Sequence, residues 1–535
     1  MSESTDHRRY ITTPIYYVND RPHIGHVYTT TLCDVWARFM RFAGEDVFFL
    51  TGTDEHGQKV EKSAAARGVT PQALADENAA EFQRIMGMFD LSNDDFIRTT
   101  QAHHEQQVQR VVEKLIETDA VYLGEFEGWY DEGEETYYTE TKAKESEYLS
   151  PVSGRPLVRA TEKNYYFRLS AFEDRLLKLF EAHPNFVRPE SRRNEVLGRL
   201  REGLQDVPMS RTNFTWGIQM PNDPEHVIYV WIDALLNYAT ALGLAEPDSE
   251  RARDRAAYWP ADYHVIGKEI LWFHAVIWPA MIMALEWPLP KCIYSHSFWI
   301  AEGQKMSKTL GNFIDLESIQ SYIDRYGADM WRYYLVTQGP HGATDADFTA
   351  AQFHETYQSV LVNTVGNCAS RVTAMINKYF DGAVPSEAPN GERLVVDESY
   401  DWPTLCETAV TDAHAAMERF DLPGALNAAL SLIRSVDAFI HQTEPFKLAK
   451  DESQLETVGA ILYQCAETIR IASLLLWPTM TVQMRTLWSA LSLDIDPERD
   501  AMRDLAQWGG LQPGTSVQKV ALFPRLDAPE SVTAS

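Results

Sequence analysis

The apolar and polar positions near the start of the chain follow two different periods. Residues 10–15 form a β-rich segment, and from Val27 to Ala43 the apolar residues recur at helical spacing until Gly44. A short apolar run from Asp46 to Leu50 then predicts a buried strand that opens into a loop at 51–57. A strand, a helix and a second strand in this order predict a βαβ unit, and therefore a parallel sheet.

The sheet pattern is interrupted once and then resumes. Residues 125–165 are rich in acidic, aromatic and turn-forming side chains, which is typical of a small domain inserted into the sheet domain. Helical spacing returns from Leu169 to Leu204, and strand-like apolar runs follow at Val227–Ile232 and His264–Ile266. Long amphipathic stretches after residue 350 predict a helical bundle.

These patterns divide the 535 residues into a mixed α/β part and an all-helical part. A chain of this length is long enough for roughly three or four domains. We predict five segments: the first half of a sheet domain at 1–124, an inserted domain at 125–225, the second half of the sheet domain at 226–300, a loop-bearing region at 301–350 and the helical bundle at 351–535.

Composition and charge restrict the possible functions. A hydrophobic content of 45% is that of a globular protein rather than a disordered one. The formal net charge of −29 is unusual for a protein that binds nucleic acid, because phosphate contacts dominate such binding. Any contact with RNA is therefore expected to be confined to a local basic groove.

Cysteine usage and the apolar stretches predict a cytoplasmic protein. The five cysteines are scattered and form no C-x-x-C pair, which favours reduced, buried thiols. The polar N-terminus contains no apolar secretion signal. The longest apolar stretch, from Ile270 to Pro290, contains His274, Pro279 and Glu286, so a buried helix is favoured over a membrane span.

Two short motifs carry the candidate chemistry: His23-Ile24-Gly25-His26 and Lys305-Met306-Ser307-Lys308-Thr309. Attack of a carboxylate on the α-phosphorus of ATP requires alignment and stabilisation of phosphate charge more than proton transfer. His23 and His26 at a helix start can donate hydrogen bonds to phosphate oxygens, and Gly25 permits close approach of the adenine ring. Lys305 and Lys308 on a loop can close on the β- and γ-phosphates. Taken singly, the histidines could cap a helix and the lysines could be ordinary surface.

The chain resembles the class I aminoacyl-tRNA synthetases, and within them the methionyl-tRNA synthetase family. The resemblance extends from Tyr10 to about Ala449. It rests on the two motifs and on five longer stretches: Pro14-Ile15-Tyr16-Tyr17-Val18-Asn19, Phe49-Leu50-Thr51-Gly52-Thr53-Asp54-Glu55-His56-Gly57-Gln58, Tyr229-Val230-Trp231-Ile232-Asp233-Ala234, Ile266-Gly267-Lys268-Glu269-Ile270 and Phe273-His274. It implies a Rossmann-like catalytic domain with an inserted connective domain, a signature loop and stem-contact region, and a helical anticodon-binding domain.

The resemblance also implies an activity and its site residues. ATP, used with Mg²⁺, would activate L-methionine to methionyl-adenylate, and the methionyl group would pass to the 3′ end of initiator and elongator tRNA(Met). Asp54 would pair with the substrate ammonium group, while Gly267 and Glu269 would hold the ATP ribose. The methionine pocket would be lined by Ile15, Tyr17, Trp231, Ala234, Leu235, Tyr238, Ile270, Phe273 and His274, with the Tyr238 hydroxyl and the Ile15 backbone near the sulfur.

The helical bundle contains the residues that would read the anticodon. The segment 367–371 matches the family's anticodon-contacting helix, with Asn367 and Arg371 as readers of base edges. The four-residue spacing of these two is also compatible with a simple brace on a helix surface. Phe446 stands where the family commonly has a stacking Trp, and its face still permits stacking on a base.

The inserted domain departs from the family at its zinc knuckle. The positions that match the usual cysteine pairs are Asp131, Glu134, Ser150 and Ser153, and serines are poor zinc ligands. We therefore predict no structural zinc and an insert held together by packing among Trp129, Tyr130, Tyr137, Tyr138 and Tyr148. A smaller departure is Thr309, which retains a hydroxyl where the family's signature loop usually ends in Ser.

Three further expectations complete the sequence-based account. No appended RNA-binding module follows the bundle in this sequence, so we expect a monomer. A hydrophobic pocket discriminates one methylene by only ~1–3 kcal/mol, so homocysteine is an expected misactivated substrate whose adenylate is edited in the same site. One alternative is a catalytically idle paralogue that binds RNA or regulates, and intact His23, His26, Asp54, Lys305 and Lys308 argue against it. The other is a different adenylyl transferase or a synthetase for another amino acid, and the box of Trp231, Tyr238, Phe273 and His274 favours methionine.

Overall fold

The computed structural model describes residues 8–18, 21–131, 136–138, 140–151, 154–306, 312–388, 393 and 395–528. Its central element is a seven-stranded sheet in which every pairing is parallel, with the order β2-β3-β1-β13-β14-β8 and β4 added to β3. These strands are β1 (Arg8–Thr12), β2 (Tyr16–Tyr17), β3 (Asp46–Asp54), β4 (Asp95–Arg98), β8 (Val187–Arg188), β13 (Tyr263–Gly267) and β14 (Ile293–His296). The predicted parallel-sheet fold is confirmed.

Helices cover the sheet and connect its strands. They are α1 (Ile24–Phe42), α2 (Gln58–Arg67), α3 (Pro71–Met88), α4 (Ala102–Glu117), α5 (Glu140–Glu145), α6 (Glu173–Ala182), α7 (Glu190–Leu200), α8 (Val230–Thr240), α9 (Glu250–Arg255) and α10 (Trp278–Ala284). A π-helical turn, Phe273–Ile277, runs directly into α10, so the apolar stretch that begins at Ile270 is largely helical and buried as expected.

The insertion between β4 and β13 contains two small antiparallel sheets. One has the order β6-β5-β7-β9 and the other β10-β12-β11. Their strands are β5 (Val121–Asp131), β6 (Thr136–Tyr138), β7 (Val158–Phe167), β9 (Val207–Pro208), β10 (Ser210–Arg211), β11 (Gln219–Met220) and β12 (Asp223–Ile228). The predicted boundary at 225–226 falls within β12. The rings of Trp129 and Tyr148 lie 4.5 Å apart, and both side chains donate to the Glu140 carboxylate.

Two local predictions were wrong. Residues 51–54 belong to β3 rather than to a loop, because Leu50–Thr53 pair with Asp95–Arg98 of β4 and Thr53–Asp54 pair with β2. The apolar run Val227–Ile232 is half strand and half helix: β12 ends at Ile228 and α8 begins at Val230. A short continuous apolar run does not distinguish a buried strand from a buried helix, which explains the second error.

The C-terminal part is helical, as predicted. After a small sheet of β15 (Trp299–Ala301), β16 (Gln304–Lys305) and β17 (Ala346–Phe348), the helices are α11 (Leu316–Tyr326), α12 (Ala328–Gln338), α13 (Ala350–Thr356), a π-helical stretch (Tyr357–Gly366), α14 (Asn367–Tyr379), α15 (Trp402–Glu418), α16 (Leu422–Thr443), α17 (Pro445–Leu448), α18 (Leu455–Leu476), α19 (Thr481–Ala490) and α20 (Met502–Leu505). The helix Glu452–Leu476 is long and apolar enough to cross a membrane, but its most apolar window is entirely buried inside the protein.

A buried ion pair connects the sheet domain to the bundle. Asp34 of α1 lies 2.6 Å from Arg332 of α12 and 2.9 Å from Arg38, and Asp34 and Arg332 are both at most 1% exposed. The Arg332 guanidinium also donates to the carbonyls of Pro478 and Thr479, in the turn between α18 and α19. Because His23 is the N-cap residue of α1, this contact network fixes the helix that carries the two-histidine motif.

Candidate active site

A cavity of about 480 Å³ opens at the carboxyl ends of the central strands. Ligands in parallel sheets bind at this edge, so its location agrees with the sequence-based expectation. Most of the predicted site residues line it: Ile15, Tyr17, His23, Gly25, His26, Asp54, Trp231, Ala234, Leu235, Tyr238, Gly267, Glu269, Ile270 and His274. Of the other three residues predicted for the catalytic, ATP-binding and methionine-binding sites, Phe273 lies behind Trp231, Lys305 is outside the lining, and Lys308 falls outside the described residues.

The two-histidine motif forms the N-terminal cap of α1. His23 is the N-cap residue; its Nδ1 accepts from the Gly25 amide at 3.1 Å, and the Nδ1 of His26 accepts from the His23 amide at 3.1 Å. A nitrogen that accepts a backbone N–H carries no proton, so in the neutral form each ring has its proton on Nε2. A Cβ on Gly25 would lie 2.9 Å from the His23 ring, so a glycine at position 25 permits the imidazole to lie over the first turn of the helix.

Burial and mutual repulsion keep His26 neutral. Desolvation, followed by the neighbouring His23, lowers the pKa of His26 well below its usual value. The two rings are only 4.0 Å apart between centroids. At neutral pH His26 is therefore a neutral hydrogen-bond donor, located at the positive end of the α1 dipole.

The segment that follows the signature loop lies against this cap. Residues 307–311 are outside the described residues, but Lys305 ends β16 and Asn312 donates to its carbonyl at 3.3 Å. On the other side, the Phe313 ring lies 5.3 Å from the His23 ring, and the amide of Ile24 donates to the Ile314 carbonyl at 3.1 Å. The residues that follow the second motif along the chain, Phe313 and Ile314, therefore contact the two-histidine cap, and Phe313 lines the cavity.

An aromatic and aliphatic wall forms the other half of the cavity. Trp231 stacks on Phe273 with ring centroids 3.9 Å apart and an interplanar angle of 9°. Phe273 thus supports the indole from behind. Tyr238 is almost completely buried, and its hydroxyl lies 2.7 Å from His274 Nε2.

The direction of the Tyr238–His274 hydrogen bond follows from the other ring nitrogen. His274 Nδ1 lies 3.0 Å from the Ile270 carbonyl oxygen, which can only accept, so Nδ1 carries the proton. Burial lowers the pKa of His274 to about 4, so the ring is neutral and Nε2 is an acceptor. The hydroxyl proton of Tyr238 is therefore donated to His274.

Asp54, the last residue of β3, presents a carboxylate without a full set of partners. Its Oδ1 is buried and has no hydrogen-bond partner among the described residues. Burial, and then the negative charge of Asp233, raise the pKa of Asp54 well above its usual value. A buried carboxylate oxygen without a donor favours the binding of a cationic group at this position.

Gly267 and Glu269 follow β13 on the other side of the cavity. A Cβ on Gly267 would lie 2.4 Å from a Glu269 carboxylate oxygen, so the glycine permits the carboxylate to fold back over the strand end. The Glu269 side chain is accessible from the cavity, yet the protein around it desolvates the carboxylate and raises its pKa. This carboxylate can accept hydrogen bonds from two neighbouring hydroxyls.

Nine lining residues were not among the predicted site residues: Pro14, Tyr16, Thr29, Lys59, Tyr229, Val230, His296, Phe298 and Phe313. His296 ends β14, and its position at the carboxyl end of a parallel strand was a signal that could have identified it. Its Nδ1 donates to the Ser297 carbonyl at 2.7 Å, and burial lowers its pKa to about 4. Lys59, on the first turn of α2, had no signal apart from its nearness to Asp54.

The remaining candidate residues lie away from the cavity. Asn367 is exposed at the start of α14, and Arg371 forms a 3.3 Å ion pair with Asp437 of α16. Phe446 is 41% exposed, which is unusual for a large apolar side chain in a helical bundle. Of the positions matched to zinc ligands, Asp131 and Ser150 are buried, while Glu134 and Ser153 are outside the described residues.

The fold and the cavity together define a class I aminoacyl-tRNA synthetase catalytic domain joined to a helical bundle. The family model "tRNA synthetases class I (M)" matches residues 9–146 and 146–373. A methionine--tRNA ligase of Halalkalibacterium halodurans is 44% identical over 98% of this chain and 79% of the relative, and that of Bacillus subtilis is 42% identical over 98% and 78%.

Solved structures agree with these sequence relatives. The Mycobacterium tuberculosis methionyl-tRNA synthetase in complex with methionyl-adenylate superposes with a TM-score of 0.87 at 36% identity, covering 97% of this chain and 99% of that one. The apo form of the same enzyme has a TM-score of 0.81 at 32% identity, covering 98% and 100%. The chain belongs to the methionine-specific family of class I tRNA synthetases.

Proposed function

We propose that this chain is a methionine--tRNA ligase that activates L-methionine with ATP and transfers it to tRNA(Met). The observation that carries the proposal is an Asp54 oxygen that has no partner among the described residues, in a cavity lined also by aromatic side chains and by the two-histidine cap of α1. Amino-acid adenylation requires a carboxylate for the substrate ammonium group, an apolar pocket for its side chain and hydrogen-bond donors for the phosphate.

The phosphate-binding role falls to the cap of α1. The Nε2–H groups of His23 and His26 would donate to the α-phosphate oxygens as charge develops, assisted by the N-terminal end of the helix. Lys305 and Lys308 would neutralise the β- and γ-phosphates from the signature loop, whose flanking residues contact His23. Gly267 and Glu269 would hold the ribose hydroxyls.

Methionine would occupy the pocket next to Asp54. The carboxylate of Asp54 would accept from the substrate ammonium, and the side chain would lie against Ile15, Tyr17, Trp231, Ala234, Leu235, Tyr238, Ile270 and His274. Since the Tyr238 proton is donated to His274, the tyrosine offers the sulfur no donor in this arrangement. We therefore assign recognition of the thioether mainly to shape and dispersion contacts, with Phe273 fixing the plane of Trp231.

Selectivity in such a pocket is limited. Homocysteine lacks one methyl group, and an apolar pocket distinguishes that difference by only ~1–3 kcal/mol. Misactivated homocysteine is therefore expected, with removal of its adenylate in the same site. ATP would enter as its Mg²⁺ complex, because the triphosphate itself supplies oxygen ligands to the ion.

The helical bundle would read the anticodon through Asn367, Arg371 and Phe446. Unstacked bases can be bound by the exposed amide of Asn367, the partly exposed guanidinium of Arg371 and the exposed ring of Phe446. The strong net negative charge of the chain favours confined contacts over broad phosphate binding. We further propose that the enzyme is a cytoplasmic monomer that charges both initiator and elongator tRNA.

The decisive test is methionine-dependent exchange of pyrophosphate into ATP, followed by charging of tRNA(Met). We expect exchange with methionine, weak exchange with homocysteine and none with leucine or valine. An idle paralogue would give no exchange with any amino acid, and an enzyme of another specificity would respond to a different one. Either result would overturn the proposal.

A further inference from the structure

A buried cluster of two histidines and one carboxylate lies next to the cavity, because its carboxylate, Asp233, stands on α8 between the lining residues Trp231 and Ala234. Asp233, in the first turn of α8, accepts from both histidines: its Oδ2 is 2.7 Å from His56 Nδ1 and its Oδ1 is 2.6 Å from His104 Nε2. The exposed fractions of Asp233, His56 and His104 are only 1%, 3% and 0%. The catalytic roles described above use none of these three side chains.

The two histidines hold Asp233 in its ionised form. Burial by itself raises the pKa of Asp233, but the charge of His56 and the hydrogen bonds from both rings more than offset it, and the net pKa is lowered. For His56, burial lowers the pKa, but Asp233 and then Glu105 reverse this effect, so that the net pKa is raised. The Glu105 carboxylate lies 3.7 Å from His56 Nε2 and is 43% exposed.

The cluster is connected to Asp54 by the chain and by charge. His56 follows Asp54 by two residues, and its backbone amide donates to the Asp54 carboxylate. Asp233 raises the pKa of Asp54 through its negative charge, second only to burial. The other nearby carboxylate, Glu55, is already compensated by Arg98 at 2.7 and 3.0 Å. Of these two carboxylates, Asp233 acts more strongly on Asp54, and its charge is shared with His56 rather than paired with an arginine.

We propose that Asp233 is a second anion of the ammonium subsite, which acts on the substrate α-amino group through its field and does not touch it. This inference rests on the proposed function. An ammonium group that leaves water loses hydration, and a fixed negative charge nearby recovers part of that loss, whereas a neutral group gains nothing. Asp233 thus selects a cationic α-amino group over a neutral substituent, and His56 and His104 are the positioning residues that keep it ionised.

Two methionine analogues separate this role from a structural one. L-methioninol keeps the ammonium group and lacks the carboxylate; 2-hydroxy-4-(methylthio)butanoate keeps the carboxylate and has a hydroxyl in place of the ammonium. We expect Asp233→Asn to weaken methioninol binding about ten-fold, which corresponds to ~1.4 kcal/mol, and to change binding of the hydroxy acid less than about two-fold. Equal weakening of both analogues would mean that Asp233 only shapes the pocket, and would overturn the proposal.

A milder pair of variants covers the case in which Asp233→Asn does not fold. Glu105→Gln removes a half-exposed charge beside His56, and Glu113→Gln removes an exposed charge from the same helix, α4, without a partner in the cluster. We expect Glu105→Gln to weaken methioninol about two-fold, with no change for the hydroxy acid, and Glu113→Gln to change neither. Unchanged methioninol binding in Glu105→Gln would contradict the proposal.

The outcome can be distinguished from a failure of the proposed function itself. Asp54→Asn should weaken methioninol strongly, because Asp54 is the direct partner of the ammonium group. If Asp54→Asn is strongly affected and Asp233→Asn behaves like the unaltered chain, only the second-anion inference is wrong. If methioninol does not bind the unaltered chain at all, the proposed function is wrong.

Discussion

Replacement of Asp54 by Asn should have opposite effects on stability and on substrate binding. In the ligand-free protein the Asp54 carboxylate is a buried charge with one oxygen lacking any partner among the described residues. Its substitution removes that charge while keeping the shape of the side chain. Sites that hold an unpartnered charge for a ligand are destabilised until the ligand binds, so the variant should be more stable without methionine and bind methionine less tightly.

The sign of the pH dependence follows from the raised pKa. In the unfolded chain Asp54 ionises near its ordinary pKa, about 3.9, whereas in the folded chain it keeps its proton to a higher pH. Its contribution to stability is therefore greatest below the unfolded pKa and is lost as the pH rises through the folded one. Relative to the unaltered chain, Asp54→Asn should gain stability with rising pH. At pH 8 we expect the free energy of unfolding of Asp54→Asn to exceed that of the unaltered chain by about 1 kcal/mol. This is at the lower end of the penalty for an unsatisfied buried polar group, because the cavity admits water.

The effect on methionine is larger. A hydrogen bond between two charged groups contributes about 1.5–3 kcal/mol, so Asp54→Asn should raise the KM for methionine about 10- to 150-fold in pyrophosphate exchange, with little change in the KM for ATP. The predicted gain in stability is measured as the Tm of the ligand-free protein at pH 5 and at pH 8. Asp254→Asn, an exposed carboxylate on α9, is the matched control. A lower Tm for Asp54→Asn at pH 8, or an unchanged KM for methionine, would refute the reasoning.

Three further predictions concern the rest of the chain. Arg332→Met should lower the free energy of unfolding by about 1.5–3 kcal/mol, measured as a lower Tm, because it removes one of the two arginines that pair with the buried Asp34; an unchanged Tm would contradict this. Arg371→Ala should lower tRNA charging and leave pyrophosphate exchange unchanged, and equal loss in both assays would exclude a role in anticodon reading. Lys305→Gln should lower kcat for exchange more than it raises the KM for methionine, because the charge on pyrophosphate grows in the transition state; a pure KM effect would contradict that role.

The sequence predicted the fold class well because its signals were local and periodic. The helical spacing from Val27 to Ala43 and the apolar run at 46–50 correspond to α1 and to the first part of β3. The extension of β3 beyond Leu50 depends on pairing with β4, whose residues lie more than 40 positions further along the chain, and on pairing of Thr53 and Asp54 with β2. Such non-local pairing leaves no periodic signal in a single short segment.

The candidate site was likewise predictable in part: its residues could be identified from the sequence, whereas their hydrogen bonds could not. Residue type and motif order indicated His23, His26 and Asp54, and the structure places all three around one cavity. The proton positions were beyond the reach of the sequence, since they depend on which backbone groups contact each ring. The donation of the Tyr238 proton to His274, for example, follows only from the contact between His274 and the Ile270 carbonyl.

The central claim is that one cavity holds ATP and methionine in line for adenylate formation. Its most direct test is to mix the chain with ATP, Mg²⁺, methionine and pyrophosphatase, isolate the protein rapidly and measure bound methionyl-adenylate by mass spectrometry. The account predicts close to one adenylate per chain, and a strong loss of it in His23→Asn and His26→Asn chains that still bind methionine. Adenylate formation that is unaffected by both histidine substitutions, or no adenylate in the unaltered chain, would contradict it.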